Sequence, residues 1–221
     1  MLQHVWERAN SARYLTSVAI ATDDERIRRA AESFSAKVVM TRADHPSGTD
    51  RVAEAASASN AEIVVNIQGD EPMIDPAAID AAVLGLLDQD DAPMSTLKTR
   101  IMRDEDVTDP NVVKVVTDRE ENALYFSRLP IPLVRETGER AAHFKHLGLY
   151  VYRRDFLLSY PDLPQGPLER AERLEQLRAL ENGFKIRVVE TDYDSVGVDT
   201  PEDWERISRL FEMTSIEKTA V

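Results

Sequence analysis

Apolar residues along the chain follow two rhythms. Short runs rich in Val and Ile, at 18–21, 38–40, 63–68, 94–99, 112–117, 124–127, 147–152 and 186–190, have the length and β-branched content of buried strands. Between several of them, apolar residues recur at helical spacing, predicting helices over 24–34, 50–59, 76–88, 168–182 and 201–211. Strand and helix alternating in this way predict an α/β fold: a mostly parallel, mixed sheet with helices on both faces.

Local punctuation supports these elements. Asp75-Pro76 is an N-cap followed by Pro at the first helical position, and Thr200-Pro201-Glu202-Asp203 repeats the device with acidic residues in the first turn. Asn182-Gly183 is a stop signal for the segment before it. No repeat, low-complexity stretch or linker interrupts the pattern, so residues 1–221 are expected to form a single domain.

In open α/β sheets ligands bind outside the carboxyl ends of the strands, so the loops there carry the chemistry. Four such loops are TRADHPSGTDR after Met40, QGDEP after Ile67, SRLPIP after Phe126 and GVDTPED after Val196.

Charge narrows the ligand. Forty acidic against 27 basic residues give a net charge of -13, which argues against a broad nucleic-acid surface. A phosphate ligand would have to be met by a few local groups or a metal. The absence of cysteine excludes thiolate catalysis and Cys-ligated metals, and no apolar run approaches the roughly 20 residues of a membrane span. A cytoplasmic protein is expected.

Asp70 ends an apolar strand at the mouth of the sheet, where a carboxylate could hold a hard cation such as Mg²⁺ or cap a turn. Asp199, at a Gly-containing turn, is the best second ligand, although Thr200 already caps the next helix; Glu71 is read as structural. In TRADHPSGTDR, Gly48 permits close backbone approach, Ser47 or Thr49 can cap, and the new helix offers free N–H groups to an anion. A capped turn with solvated Arg42 and Arg51 explains the loop equally well, and it is not a P-loop. His146, Gly148 and Tyr150 fall on one side of a strand if alternation is regular. Glu175 and Gln176 lie in LERAERLEQLRALE, where a Glu usually belongs to the wet face of an amphipathic helix.

Taken together and in order, VVMTRADHPSGTDR, VVNIQGDEPMI, NVVKVV, ALYFSRLPIP, HLGLYVYR, PLERAERLEQLRALENGFKI and GVDTPEDWERI closely resemble the 3-deoxy-manno-octulosonate (Kdo) cytidylyltransferase family. The resemblance implies a Rossmann-like nucleotidyltransferase fold, a homodimer, and conversion of CTP and Kdo to CMP-Kdo and pyrophosphate for lipopolysaccharide synthesis. It implies Mg²⁺ on Asp70 and Asp199. It places Arg42, Ser47, Gly48, Arg51 and Gln68 on the nucleotide side, and Gln68, Arg128, His146, Tyr150, Glu175 and Gln176 around the sugar acid. Arg128 becomes the natural partner of the Kdo carboxylate, and no dedicated general base stands out. The alternatives are a transferase for 8-amino-Kdo or a sialic acid, and a non-catalytic nucleotide- or sugar-binding protein.

One departure stands out. In that family a first strand and a phosphate loop resembling PARYxSTRLPGKPL precede a segment like MLQHVWERA, on which Met1 falls here. SARYLTS at 11–17 lacks the Gly and Lys and joins a helix to a strand, so it does not substitute. The expectation is that the natural chain begins upstream; if it begins at Met1, poor cytidylyltransferase activity and a destabilising exposed sheet edge are expected.

Overall fold

The computed structural model describes residues 1–135, 141–194, 197–198, 203, 205 and 207–209. Along the chain come α1 (Leu2–Asn10), β1 (Ala19–Thr22), α2 (Glu25–Ser33), β2 (Lys37–Met40), α3 (Gly48–Ser57), β3 (Ile63–Asn66), α4 (Pro76–Leu87), β4 (Met94–Arg100), α5 (Asp104–Thr108), β5 (Lys114–Thr117), β6 (Ala123–Ser127), β7 (Phe144–Arg153), α6 (Arg154–Ser159), α7 (Pro167–Glu172), α8 (Leu177–Glu181) and β8 (Ile186–Glu190). Side-chain caps start three helices: Asp24 accepts from the Arg26 N–H, Ser47 from Asp50 and Asp75 from Ala77. Of the helix expected over 201–211, the described residues 203, 205 and 207–209 are helical.

β7 is the hub of the larger sheet. One edge runs antiparallel to β4, and the other pairs antiparallel with β3 at Tyr150–Arg153 and with β5 at Lys145. β8 adds parallel to β4 and β6 antiparallel to β5, while β1 and β2 form a separate parallel pair. The sheet is therefore mixed, with fewer parallel pairings than strand-helix alternation predicts. β5, β6 and β7 follow one another with no described crossover helix between them, and such neighbours pair antiparallel.

Alternation along β7 divides the core. Leu147, Leu149 and Val151 face Ile79, Val83 and Leu86 of α4 and the α1 side chains Val5 and Ala9. His146, Tyr150 and Tyr152 face the opposite layer, and their rings form a chain: Phe126 to His146 at 4.9 Å, His146 to Tyr150 at 5.5 Å, Tyr150 to Tyr152 at 6.1 Å and Tyr152 to Tyr160 at 6.2 Å between centroids.

The helix expected over 168–182 is two helices. Arg173 adopts a left-handed conformation, φ 54°, and ends α7. Tertiary contacts override the helical period here. Tyr160 Oη donates to the Glu175 carbonyl at 2.7 Å, and Glu169 and Arg178 form a buried ion pair at 2.6 Å. Glu169, 6% exposed, is thus no part of a wet face.

Gly85 lies inside α4 against β8, where an added Cβ would overlap Val189 Cγ2. An exposed helical Gly→Ala change stabilises by about 0.5–1 kcal/mol, whereas overpacking a core costs about 1–3 kcal/mol. Gly85→Ala should therefore lower stability in urea denaturation, and adding Val189→Ala should recover part of the loss; a stabilised single variant would contradict this packing.

His146 is 8% exposed, and its Nε2 lies 2.9 Å from Thr96 Oγ1. The single hydroxyl hydrogen of Thr96 goes to a carbonyl, of Leu147 or Leu149, so the imidazole donates to the hydroxyl oxygen. Burial pushes His146 down to about 3 from its ordinary 6.5. Between those values the unfolded chain binds the extra proton, so stability rises with pH across this window and falls on acidification. At pH 5 the loss is about 2 kcal/mol. The stability advantage of the native chain over His146→Gln should shrink by that amount between pH 7.5 and pH 5; an unchanged difference would show that the imidazole protonates in the folded protein.

Candidate active site

The candidate site gathers at the ends of the strands. Past β3 the chain turns through Gln68 and Gly69, both exposed, to half-buried Asp70. The Val198 N–H donates to the Asp70 carbonyl at 3.0 Å, which brings Gly197-Val198 to the QGDEP loop. Asp199 itself, expected to be the second metal ligand, lies outside the described residues. Burial, helped by the Asp70 charge, pushes Glu71 up to about 7, with Lys145 opposing. Two adjacent carboxyl groups thus sit together near the Lys145 ammonium, and a pair of carboxylate oxygens suits a hard cation taking one or two protein carboxylates. Among the described residues no cluster of three or more potential metal ligands forms, so a metal here would draw on few side chains.

The TRADHPSGTDR loop is a helix start rather than a bare turn. The helix begins at Gly48, two residues earlier than the apolar rhythm predicts, because the Ser47 hydroxyl accepts from the Asp50 N–H. Arg51 spans the ends of β1 and β2, reaching the Asp23 carboxylate at 2.9 Å and Thr41 Oγ1 at 2.7 Å. Arg42 is exposed beside Asp44 and Glu54, and its N–H donates to Glu54. Gly48, Arg51 and Gln68 line a single cavity of about 750 Å³, and the space a Gly48 side chain would enter is open.

The sugar-side residues approach from the other direction. The break at Arg173 turns Glu175 inward, where its carboxyl meets Ser47 Oγ at 2.8 Å. Ser47 also lies 2.5 Å from the Asp50 carboxylate. Burial pushes the Glu175 carboxyl up, with the Ser47 and Thr49 hydroxyls opposing. The wet-face expectation for Glu175 is thereby corrected. Gln176 is 4% exposed in the same break, and burial pushes the Tyr150 phenol up as well. Glu175, neutral His146 and Tyr150 thus form a largely buried polar floor.

Arg128 follows β6. Its Nε donates to the Glu172 carbonyl at 2.7 Å, and its terminal nitrogens to the Pro110 carbonyl at 2.9 Å and the Arg173 carbonyl at 3.4 Å. One hydrogen on each terminal nitrogen is left over. Glu172, which sequence reasoning did not single out, accepts from Ser127 Oγ at 2.8 Å and from the Arg128 N–H at 2.9 Å. It fixes the SRLPIP loop to the end of α7. Nothing periodic marks it, since its partners are 45 and 44 residues away.

The structure therefore brings Ser47 to Glu175, His146 to Tyr150, and Gly48, Arg51 and Gln68 to one cavity. Arg128 sits at the α7 end, and Asp70 beside the segment leading to Asp199.

Comparison with known proteins identifies this arrangement. The family described as Cytidylyltransferase matches residues 1–186. The 3-deoxy-manno-octulosonate cytidylyltransferase of Solibacter usitatus (strain Ellin6076) is 68% identical over 217 residues, 98% of this chain and 86% of the relative. That of Geobacter sulfurreducens is 53% identical, covering 94% and 87%. Among solved structures, CMP:2-keto-3-deoxy-manno-octonic acid synthetase complexed with CTP superposes with a TM-score of 0.92 at 42% identity, over 96% of this chain and 88% of that one. With that sequence match running through every loop of the candidate site, the chain belongs to the 3-deoxy-manno-octulosonate cytidylyltransferase family.

Proposed function

We infer that the chain transfers CMP from CTP to Kdo with release of pyrophosphate, using Mg²⁺ held by Asp70 and Asp199. The observation that carries this reading is the contact between Ser47 and Glu175. It joins the helix start suited to a nucleotide to the break suited to a sugar, in a chain 68% identical to a relative named for this reaction.

The chemistry is an in-line displacement in which the anomeric hydroxyl of Kdo attacks the α-phosphorus of CTP. Arg42, Arg51 and the free N–H groups at the start of α3 receive the nucleotide. Arg128, with two N–H hydrogens to spare, binds the Kdo carboxylate, and Glu175, neutral His146 and Tyr150 meet the polar groups of the sugar. Mg²⁺, when bound, supplies neutralisation of the phosphate and leaving-group charge. The protein's part is positioning and electrostatics.

We place the enzyme in the cytoplasm as a homodimer that feeds lipopolysaccharide synthesis. Family resemblance supports this, and among the described residues no helix is long and apolar enough to cross a membrane.

Pyrophosphate release from CTP and Kdo tests the reading. Asp70→Asn should cost at least about 100-fold in turnover with circular dichroism unchanged, while Glu71→Gln stays within about tenfold. Arg128→Ala should raise KM for Kdo more than for CTP. Near-native Mg²⁺-dependent activity of Asp70→Asn, or a selective loss of CTP binding in Arg128→Ala, would reverse these assignments. Sedimentation should give a dimer mass, and a monomer would remove that part.

A further inference from the structure

Lys114 opens β5 and is fully buried, 0% exposed, a rare place for a lysine. In the β5–β6 pair it lies directly opposite Ser127, so the two side chains leave the same face of the sheet, beside Arg128. Its Nζ donates to two main-chain carbonyls, of Asp109 at 2.8 Å and of Val112 at 2.5 Å. Burial pushes the ammonium below its ordinary value, with the Asp109 and Glu172 charges opposing and Arg128 adding to the shift. A charge kept out of water costs solvation, and nothing in the reaction as described uses it.

The segment between those two carbonyls is a tight turn. Asp109 Oδ1 accepts from the Asn111 N–H at 2.8 Å, and the Asp109 carbonyl from the Val112 N–H at 3.2 Å. Lys114 gathers the carbonyls at both ends of this turn, while the Pro110 carbonyl between them accepts from Arg128 Nη1 at 2.9 Å. The other two acceptors of the Arg128 guanidinium, the Glu172 and Arg173 carbonyls, belong to the end of α7. One side of the cradle is therefore fixed by α7, and the other by a turn that Lys114 pins to β5. All three acceptors are neutral, so they orient the guanidinium and leave its charge for an anion.

We propose that Lys114 is a positioning residue for the sugar acid: by pinning the 109–112 turn it holds the Pro110 carbonyl, and through it the Arg128 guanidinium, in the orientation that receives the substrate carboxylate. Lys114 is sealed from solvent, so it touches no substrate and acts through Arg128. An ammonium suits the task because its three hydrogens reach two diverging carbonyls at once. A free arginine side chain would lose rotamer freedom on binding, and a cradle built in advance removes that cost. Misplacing such a group by about 1 Å can cost about 100-fold in rate. The inference rests on the reading of Arg128 as the partner of the Kdo carboxylate.

The test compares kcat/KM for Kdo with kcat/KM for its methyl ester, since the ratio reads how well the carboxylate is received and cancels a general loss of active protein. Arg128→Ala should lower this preference for the acid at least about tenfold, and Lys114→Met at least about fivefold, with KM for CTP within about twofold of native. Once Arg128 is alanine, adding Lys114→Met should change the ratio by less than about twofold, because the lysine acts only through the arginine. Asp109→Ala, which loosens the same turn from its solvent side and leaves β5 intact, should lower the ratio about threefold, and it decides the matter if Lys114→Met does not fold. An unchanged ratio in Arg128→Ala would overturn the reading of Arg128 itself. A ratio that falls in Arg128→Ala but stays native in Lys114→Met and Asp109→Ala, or an effect of Lys114→Met that persists in full without Arg128, would overturn this inference alone.

Discussion

β7 governs the rest of the structure because both of its edges are hydrogen-bonded. With β4 on one side and β3 and β5 on the other, a slip of one residue would break three pairings and turn Leu147, Leu149 and Val151 out of the α4 layer. That rigidity presents His146 and Tyr150 to the candidate site at a fixed orientation. It also sets the ends of β3 and β4, from which the QGDEP loop and the neighbouring segments depart.

The site built on this frame binds polar groups at some cost to stability. A histidine held neutral, a glutamate whose carboxyl burial pushes up and a phenol sealed among aromatic rings each lose solvation on folding. Each is offset by a specific partner or by packing: Thr96 for His146, Ser47 for Glu175, the ring chain for Tyr150. Such local expense is characteristic of places where a protein prepares for a ligand.

Much of this was legible in the residues. The strands at 94–99 and 186–190 and the helix at 76–88 have strong periodicity and clear caps, and they form within a residue or two of expectation. Alternation of His146 with Tyr150 also survives, even though the β4–β7 register shifts between Thr96 and Leu97. What was not legible depends on contacts distant in sequence. The break at Arg173 follows from the Tyr160 bond to Glu175 and the Glu169–Arg178 pair, and the role of Glu172 follows from Ser127 and Arg128. A helical period records which face of a segment is apolar, and it carries no record of a distant hydroxyl that captures one of its carbonyls. The family resemblance supplied what spacing could not, namely that these loops belong to one reaction.

The central claim is that the end of β3 delivers Asp70 to a metal-bound triphosphate opposite the start of α3. A crystal structure of the protein with CTP and Mg²⁺ tests it most directly. The account predicts an Asp70 carboxylate oxygen about 2.1 Å from the metal, with the nucleotide lying over Ser47, Gly48 and Arg51. A metal held by phosphate and water alone with Asp70 turned away, or CTP bound elsewhere on the protein, would contradict it.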